Sequence, residues 1–261
     1  MDTATSIILG IVEGFSEFLP ISSTGHLILA GKLLGLAESD FVKSFDIAIQ
    51  LGAILSVVVL YWRDLLVNFE TIKKVAVAFL PTGAIGFVLY KIIKNVLLGS
   101  TAVVLWSLFI GGVILILFEM LHREKSDATG NLDGITYRQA FLIGVFQSLA
   151  VIPGVSRSAA TIVGGLILGM RRKLIVEFSF LLAVPTMLSA TVYDLYKNGA
   201  VFSASQFNDL AIGFITSFIV ALASIQFLIR FVQSHTFILF GIYRIALVLL
   251  WVTLLNRLIG T

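Results

Sequence analysis

There is no cysteine among the 261 residues, which removes disulfides and thiolate chemistry from consideration. Charge is scarce: 13% of residues are Asp, Glu, Lys or Arg, against roughly 25% in an ordinary soluble domain. With 58% hydrophobic residues and a mean hydropathy of +1.03, the chain cannot clothe a water-soluble globule, and an integral membrane protein is the class left. Basic residues interleaved with aromatics are missing, and a net charge of +3 argues for nothing, so no nucleic acid partner is expected. The opening Met-Asp-Thr-Ala-Thr has neither a basic n-region nor a small-residue cleavage site, so the first apolar segment is expected to belong to the fold. Strand-like alternation is absent too, and an open sheet could not satisfy its backbone in lipid. The expected fold is all-α.

Apolar runs near the ~20 residues that cross a bilayer recur at 45–62, 77–96, 101–121, 177–197, 207–229 and 236–256, which predicts about six transmembrane helices. Two further segments, 6–33 and 139–169, are interrupted in the middle by proline and small polar residues and read as re-entrant helix–loop–helix pairs. Pro20 and Pro153 lie 133 positions apart, and at that offset Ser23 meets Ser156, Gly31 meets Gly164, Phe45 meets Phe178 and Ser56 meets Ser189. The single membrane domain 1–261 therefore reads as a diverged duplication of halves 1–133 and 134–261, joined at the polar linker 122–134. Three spans per half is odd, so the repeat is of inverted topology, an arrangement that places broken helices and the site inside the bilayer. If span 45–62 runs inward, ten Lys and Arg fall on the cytoplasmic side and six outside, which puts both termini outside.

The polar residues concentrate in "EGFSEFLPISSTGH", 13–26. A charge at the bilayer centre costs about 2.5–3.5 kcal/mol on insertion scales, so such a cluster needs a partner or a wet cavity. Glu13 and Glu17 are spaced i,i+4 and share one helical face; they repel unless they share a proton or a cation lies between them, and Mg²⁺ or Ca²⁺ favours such oxygens. A snorkelling pair at a helix end is the plainer alternative. Pro20 breaks the helix, and a restart near Thr24, capped by the hydroxyls of Ser22, Ser23 and Thr24, makes an anion site. His26, next to a hydroxyl and two acids, suits a general base or acid, where a lone histidine would read as core.

In the second half, "PGVSRSAAT", 153–161, has lost the acids, since Glu13 and Glu17 fall on Phe146 and Ala150 at the repeat offset. It adds Arg157 between Ser156 and Ser158. Arginine there suits bidentate clamping of a phosphate, or simply neutralises Glu13 or Glu17 as a buried pair. Asp46 and Gln50 open a span, and Arg244 reads as a partner of Glu119 or a cap on carbonyls. Acids, a hydroxyl, a histidine and an arginine on two facing loops are the inventory for phosphoryl chemistry; a transporter or lipid flippase is the competing class on fold alone.

"EGFSEFLPISSTGH" together with "PGVSRSAAT" and "FDIAIQLGAILSVV", 45–58, closely resembles the undecaprenyl-pyrophosphate phosphatases of the bacitracin-resistance type, across essentially the whole chain. The resemblance implies hydrolysis of undecaprenyl pyrophosphate to undecaprenyl phosphate and inorganic phosphate, recycling the lipid carrier of cell-wall synthesis and opposing bacitracin. It also implies a multi-pass protein of the bacterial inner membrane, surrounded by membrane lipid, with an outward-facing site and a Mg²⁺ or Ca²⁺ requirement. A homodimer is compatible with it. Carried over by motif, the catalytic residues are Glu13, Glu17, Ser23, His26 and Arg157. The metal ligands are Glu13 and Glu17. Ser22, Thr24, Ser156, Arg157, Ser158 and Thr161 bind phosphate. Ala159 stands where the family usually has glycine, which raises the expectation of a strained loop there.

Overall fold

At Pro20 and Pro153 a helix stops and a serine-capped helix restarts, whereas Pro81 and Pro185 lie inside the helices Phe69–Ile92 and Arg172–Asn198. The computed structural model describes residues 1–37, 39–92, 100–124, 128–198 and 204–255. In chain order its helices are α1 (Thr3–Ser16), α2 (Ser23–Leu33), α3 (Asp40–Leu60), α4 (Trp62–Leu66), α5 (Phe69–Ile92), α6 (Thr101–Leu121), α7 (Tyr137–Gln147), α8 (Arg157–Ile167), α9 (Arg172–Asn198), α10 (Ala204–Phe231) and α11 (Ile238–Leu250). Among the described residues the only β feature is an isolated bridge between Thr129 and Met170.

Each of the two interrupted segments is a helix, a turn and a second helix. Asp2 caps α1, its carboxylate accepting from the Thr5 amide at 2.8 Å, and the helix ends at Glu17, ahead of Pro20, whose ring disfavours helical geometry in the preceding residue. α7 begins on a Thr136–Gln139 capping box, narrows into a 3₁₀ turn at Ser148–Val151 and passes Pro153 before α8 begins.

Of the six expected spans, four are long and apolar enough to cross a bilayer: Phe69–Leu89, Thr101–Leu121, Arg172–Tyr193 and Gln206–Phe231. α3 begins at Asp40, ahead of the expected span, and α11 starts at Ile238 because the polar run Gln233–Thr236 turns the chain first, then passes into a π turn at Trp251–Leu255. Lys94, Lys125 and Arg257, counted for orientation, lie outside the described residues, as do the side chains of Lys43, Lys91, Asp194 and Lys197. The linker is partly folded: Lys74 is buried and donates to the carbonyls of Leu132 and Asp133 at 3.1 and 2.9 Å.

Packing exchanges the halves. α1 lies on α10 while α7 lies on α5; α3 packs on α10 while α9 packs on α5; α3 meets α9, and α6 meets α11. Close approach makes both pairs possible, since a Cβ on Gly10 would stand 2.8 Å from the Gly213 carbonyl, and one on Gly144 only 2.0 Å from the Ala78 carbonyl. The interior that results holds Phe18, Leu19 and Ile21 of the first turn beside Ile162, Phe178 and Phe180, so both turns sit in the core.

Candidate active site

Glu13 and Glu17 occupy the last turn of α1, the Glu17 amide donating to the Glu13 carbonyl at 2.9 Å. Glu13 is fully buried, and neither carboxylate oxygen has a hydrogen-bond partner among the described residues. It lies within electrostatic reach of two like charges, Glu17 and Asp46, and of Arg157. Glu17 is differently placed. Its Oε2 accepts the Ser23 hydroxyl, and its Oε1 receives Arg157 Nη2 at 2.9 Å. One carboxylate thus joins a serine that opens α2 to an arginine that opens α8, across 140 residues of chain. Arg157 is held further by Nη1, which donates to the Ser179 carbonyl at 2.7 Å and its hydroxyl at 3.1 Å, and its guanidinium lies 5.9 Å from the Phe18 ring centre. The Arg157 Nε–H has no partner among the described residues.

The two restarting helices share a start. Ser22 and Ser156 have φ of 73° and 78°, and among the described residues they are the only non-glycines in the left-handed region. Such geometry costs of order 1–3 kcal/mol and persists where the surroundings over-determine it. Here the surroundings are capping bonds: Ser22 Oγ accepts from Gly25 N at 3.4 Å, and Ser156 Oγ from Ala159 N at 3.2 Å. Each helix thereby turns its N-terminal amides and the positive end of its dipole toward the turn. The turns are tied directly as well, Ser158 Oγ donating to the Leu19 carbonyl at 2.8 Å.

Several expectations change. The matched serines are Ser22 and Ser156, 134 positions apart, so Ser23 stands opposite Arg157, one residue off the expected offset. On that register Glu13 corresponds to Gln147 rather than Phe146. Gln147 is also fully buried; its amide donates to Thr82 and Thr186 at 2.9 and 3.0 Å, and its Oε1 is unpartnered among the described residues. Ala159 is helical with negative φ, because the left-handed residue is Ser156, so the missing glycine strains nothing. Ser158 and Thr161 are engaged by protein, Thr161 Oγ1 bonding Ser179 Oγ at 2.6 Å, and these hydroxyls brace the turn and Arg157. Thr24 sits in the first turn of α2, part-buried.

His26 does not bond Ser23. Its Nδ1 lies 2.7 Å from the Ser22 carbonyl and its Nε2 2.8 Å from the Tyr243 hydroxyl. Arg244 caps carbonyls, the second of its two expected roles, while Glu119 pairs with Arg172. Sequence reading missed Ser179 and Tyr243. For Ser179 the one signal was a hydroxyl in an apolar span; for Tyr243 it was the adjoining Arg244, an intramembrane charge.

These features define a class: an integral membrane protein whose helical core encloses a hydrogen-bonded cluster of acid, hydroxyl and arginine side chains. Comparison with known proteins narrows it. The chain belongs to the bacitracin resistance protein BacA family, whose profile matches residues 6–250. It is 55% identical over 246 residues to the undecaprenyl-diphosphatase of Aquifex aeolicus, covering 94% of this chain and 96% of that protein. It is 53% identical to the undecaprenyl-diphosphatase of a Sulfurihydrogenibium species, over 96% and 98% of the two chains, and 50% identical to that of Wolinella succinogenes, over 95% and 96%.

Proposed function

We infer that the chain carries out the reaction its relatives are named for, hydrolysis of undecaprenyl pyrophosphate to undecaprenyl phosphate and inorganic phosphate, so supplying recycled carrier for cell-wall synthesis and resistance to bacitracin. The observation that carries a mechanism is the shared Glu17 carboxylate, which holds a serine hydroxyl and an arginine at one point. As oxygen attacks the terminal phosphorus, Glu17 takes the proton from Ser23, or from a water in its place; where Ser23 attacks, a water deprotonated by Glu17 then cleaves the phosphoserine to release inorganic phosphate and restore the hydroxyl. Arg157, anchored on Ser179, and the amides opening α2 and α8 hold the phosphoryl oxygens. The bridging oxygen leaves as undecaprenyl phosphate; His26, once protonated at both ring nitrogens, would give it a proton from Nε2 as that N–H leaves the Tyr243 hydroxyl, Nδ1 staying on the Ser22 carbonyl.

Glu13 fits a hard divalent cation, since its two buried oxygens lack partners and a second carboxylate lies one turn away. The described residues contain no cluster of three or more acid or histidine ligands, so further ligands would be pyrophosphate or water oxygens. Mg²⁺ or Ca²⁺ held by Glu13 and Glu17 would supply positive charge against the pyrophosphate. The prenyl tail would lie along the apolar outer faces of the helices. We place the protein in the bacterial inner membrane with the site facing outward, on the Lys and Arg bias; a homodimer and descent of the two halves from one duplicated unit are part of the same proposal.

Detergent-solubilised protein supplied with undecaprenyl pyrophosphate and Mg²⁺ should release phosphate, and chelator should stop it. Activity only in sealed vesicles would instead favour the transporter reading.

A further inference from the structure

A pyrophosphate tied to a long prenyl chain has to reach Glu17 and Arg157 sideways, because the chain stays in lipid while both groups lie in the helical core. Glu13, Glu17, Ser22, Ser23 and Ser156 are buried, and the Arg157 side chain is only 11% exposed. Of the hydrogen bonds that build the site, one among the described residues lies at the exposed surface: His26 Nε2 to the Tyr243 hydroxyl, with Tyr243 42% exposed. That bond crosses a seam between α2 and α11, which both pack on α6. The rest of the seam is apolar, Leu29 of α2 meeting Val248 and Trp251 over Val104 and Leu108 of α6. Apolar side chains part without leaving a polar group unmet, so the His26–Tyr243 bond is the polar tie that an opening of the seam must break. α11 is the anchored side: Arg244 is fully buried and donates to the Gly154 and Val155 carbonyls of the second turn at 2.7 and 3.2 Å, and to Ser107 and Leu108 of α6 at 3.0 and 3.2 Å.

The tie suits a closed state. A carbonyl only accepts, so His26 Nδ1–H donates to Ser22, and in the neutral ring Nε2 presents its lone pair to the Tyr243 hydroxyl, which donates. The two rings are parallel within 7°. Facing lipid, an unpaired imidazole nitrogen would cost free energy, and the hydroxyl removes that cost. While the bond stands, Nε2 is engaged and serves no other oxygen.

We propose that the seam between α2 and α11 is the lateral mouth through which the polyprenyl pyrophosphate enters, and that the Tyr243–His26 bond is the latch that holds it shut in the empty enzyme. With His26 protonated at both nitrogens, a phosphoryl oxygen takes the place of the Tyr243 hydroxyl as acceptor for Nε2–H, so the latch opens in exchange for a substrate contact. The prenyl chain then lies on the exposed apolar face that Tyr243 shares with Leu239, Ile242 and Leu249. This rests on the hydrolysis proposed above.

Two measurements in detergent with Mg²⁺ test it. In the first, photoreactive p-benzoylphenylalanine replaces Ala246, exposed one turn from Tyr243, or Val88 of α5 or Ile219 of α10, exposed on other helices. Tritiated undecaprenyl pyrophosphate should label the protein from position 246 and be chased off by unlabelled lipid, with no chaseable label from 88 or 219. Chaseable labelling from 88 or 219 and none from 246 would place the mouth elsewhere and overturn the proposal. In the second, Tyr243→Phe keeps the ring and removes the latch. A neutral hydrogen bond is worth a factor of about 2 to 10 between closed and open forms, so KM should fall by about that factor with kcat within about twofold. A KM unchanged or raised, or a kcat lowered about tenfold, would overturn the latch, since the hydroxyl would then serve binding or the chemical step. Chaseable labelling from 246 in protein that releases no phosphate would sink the hydrolysis and leave the mouth standing.

Discussion

The two turns share a backbone and divide the chemistry. Each follows a helix that stops ahead of a proline, each passes a serine at positive φ, and each opens an eleven-residue helix whose C-terminal turn is followed by a glycine at positive φ, Gly35 or Gly169. Yet the first carries Glu13, Glu17, Ser23 and His26, and the second carries Gln147 and Arg157. Joined face to face, opposite charges compensate one another through the Glu17–Arg157 pair, which two copies of either turn could not do. The difference is a division of labour: the acidic turn handles cation and proton, the basic turn the phosphoryl oxygens.

The most severe way to break this comparison is to disarm either side. Glu17→Ala, Ser23→Ala and Arg157→Ala should each lower phosphate release about 100- to 1,000-fold while the protein stays folded in detergent; full activity in any one removes that residue from the scheme. Making the sides alike should cost stability. Gln147→Glu buries a carboxylate against Thr82 and Thr186 and removes the amide donor they accept from, so its unfolding in detergent should be destabilised by at least about 2 kcal/mol. The reverse exchange, Glu13→Gln, should leave the unfolding temperature near wild type and raise the Mg²⁺ concentration needed for half-maximal activity. The smallest effects belong to the shared backbone: Ser22→Ala and Ser156→Ala lose a cap worth about 1 kcal/mol. Ser22→Gly and Ser156→Gly lose the same bond but relieve the left-handed φ, and should unfold nearer to wild type than the alanine variants.

Much of this was legible in the sequence. The interrupted segments, the charge-bearing turns and the partnership of Arg157 with a glutamate all follow from proline, serine and the cost of charge in lipid. What failed was register, and for a local reason. The prolines used as landmarks are themselves out of step: one residue separates Pro20 from its capping serine, while two, Gly154 and Val155, separate Pro153 from Ser156. The extra length is where Arg244 takes hold. Contacts such as Ser179 to Arg157 and Tyr243 to His26 depend on how helices far apart in the chain are rotated, which hydropathy periodicity does not specify.

The central claim is that the two turns form one site, and a double-mutant cycle on Glu17 and Arg157 tests it most directly. With kcat/KM for phosphate release measured for wild type, Glu17→Ala, Arg157→Ala and the pair, the double variant should be within a few-fold of the slower single, as for residues that act as a unit. Losses that multiply would mean that the turns act independently and would contradict the account.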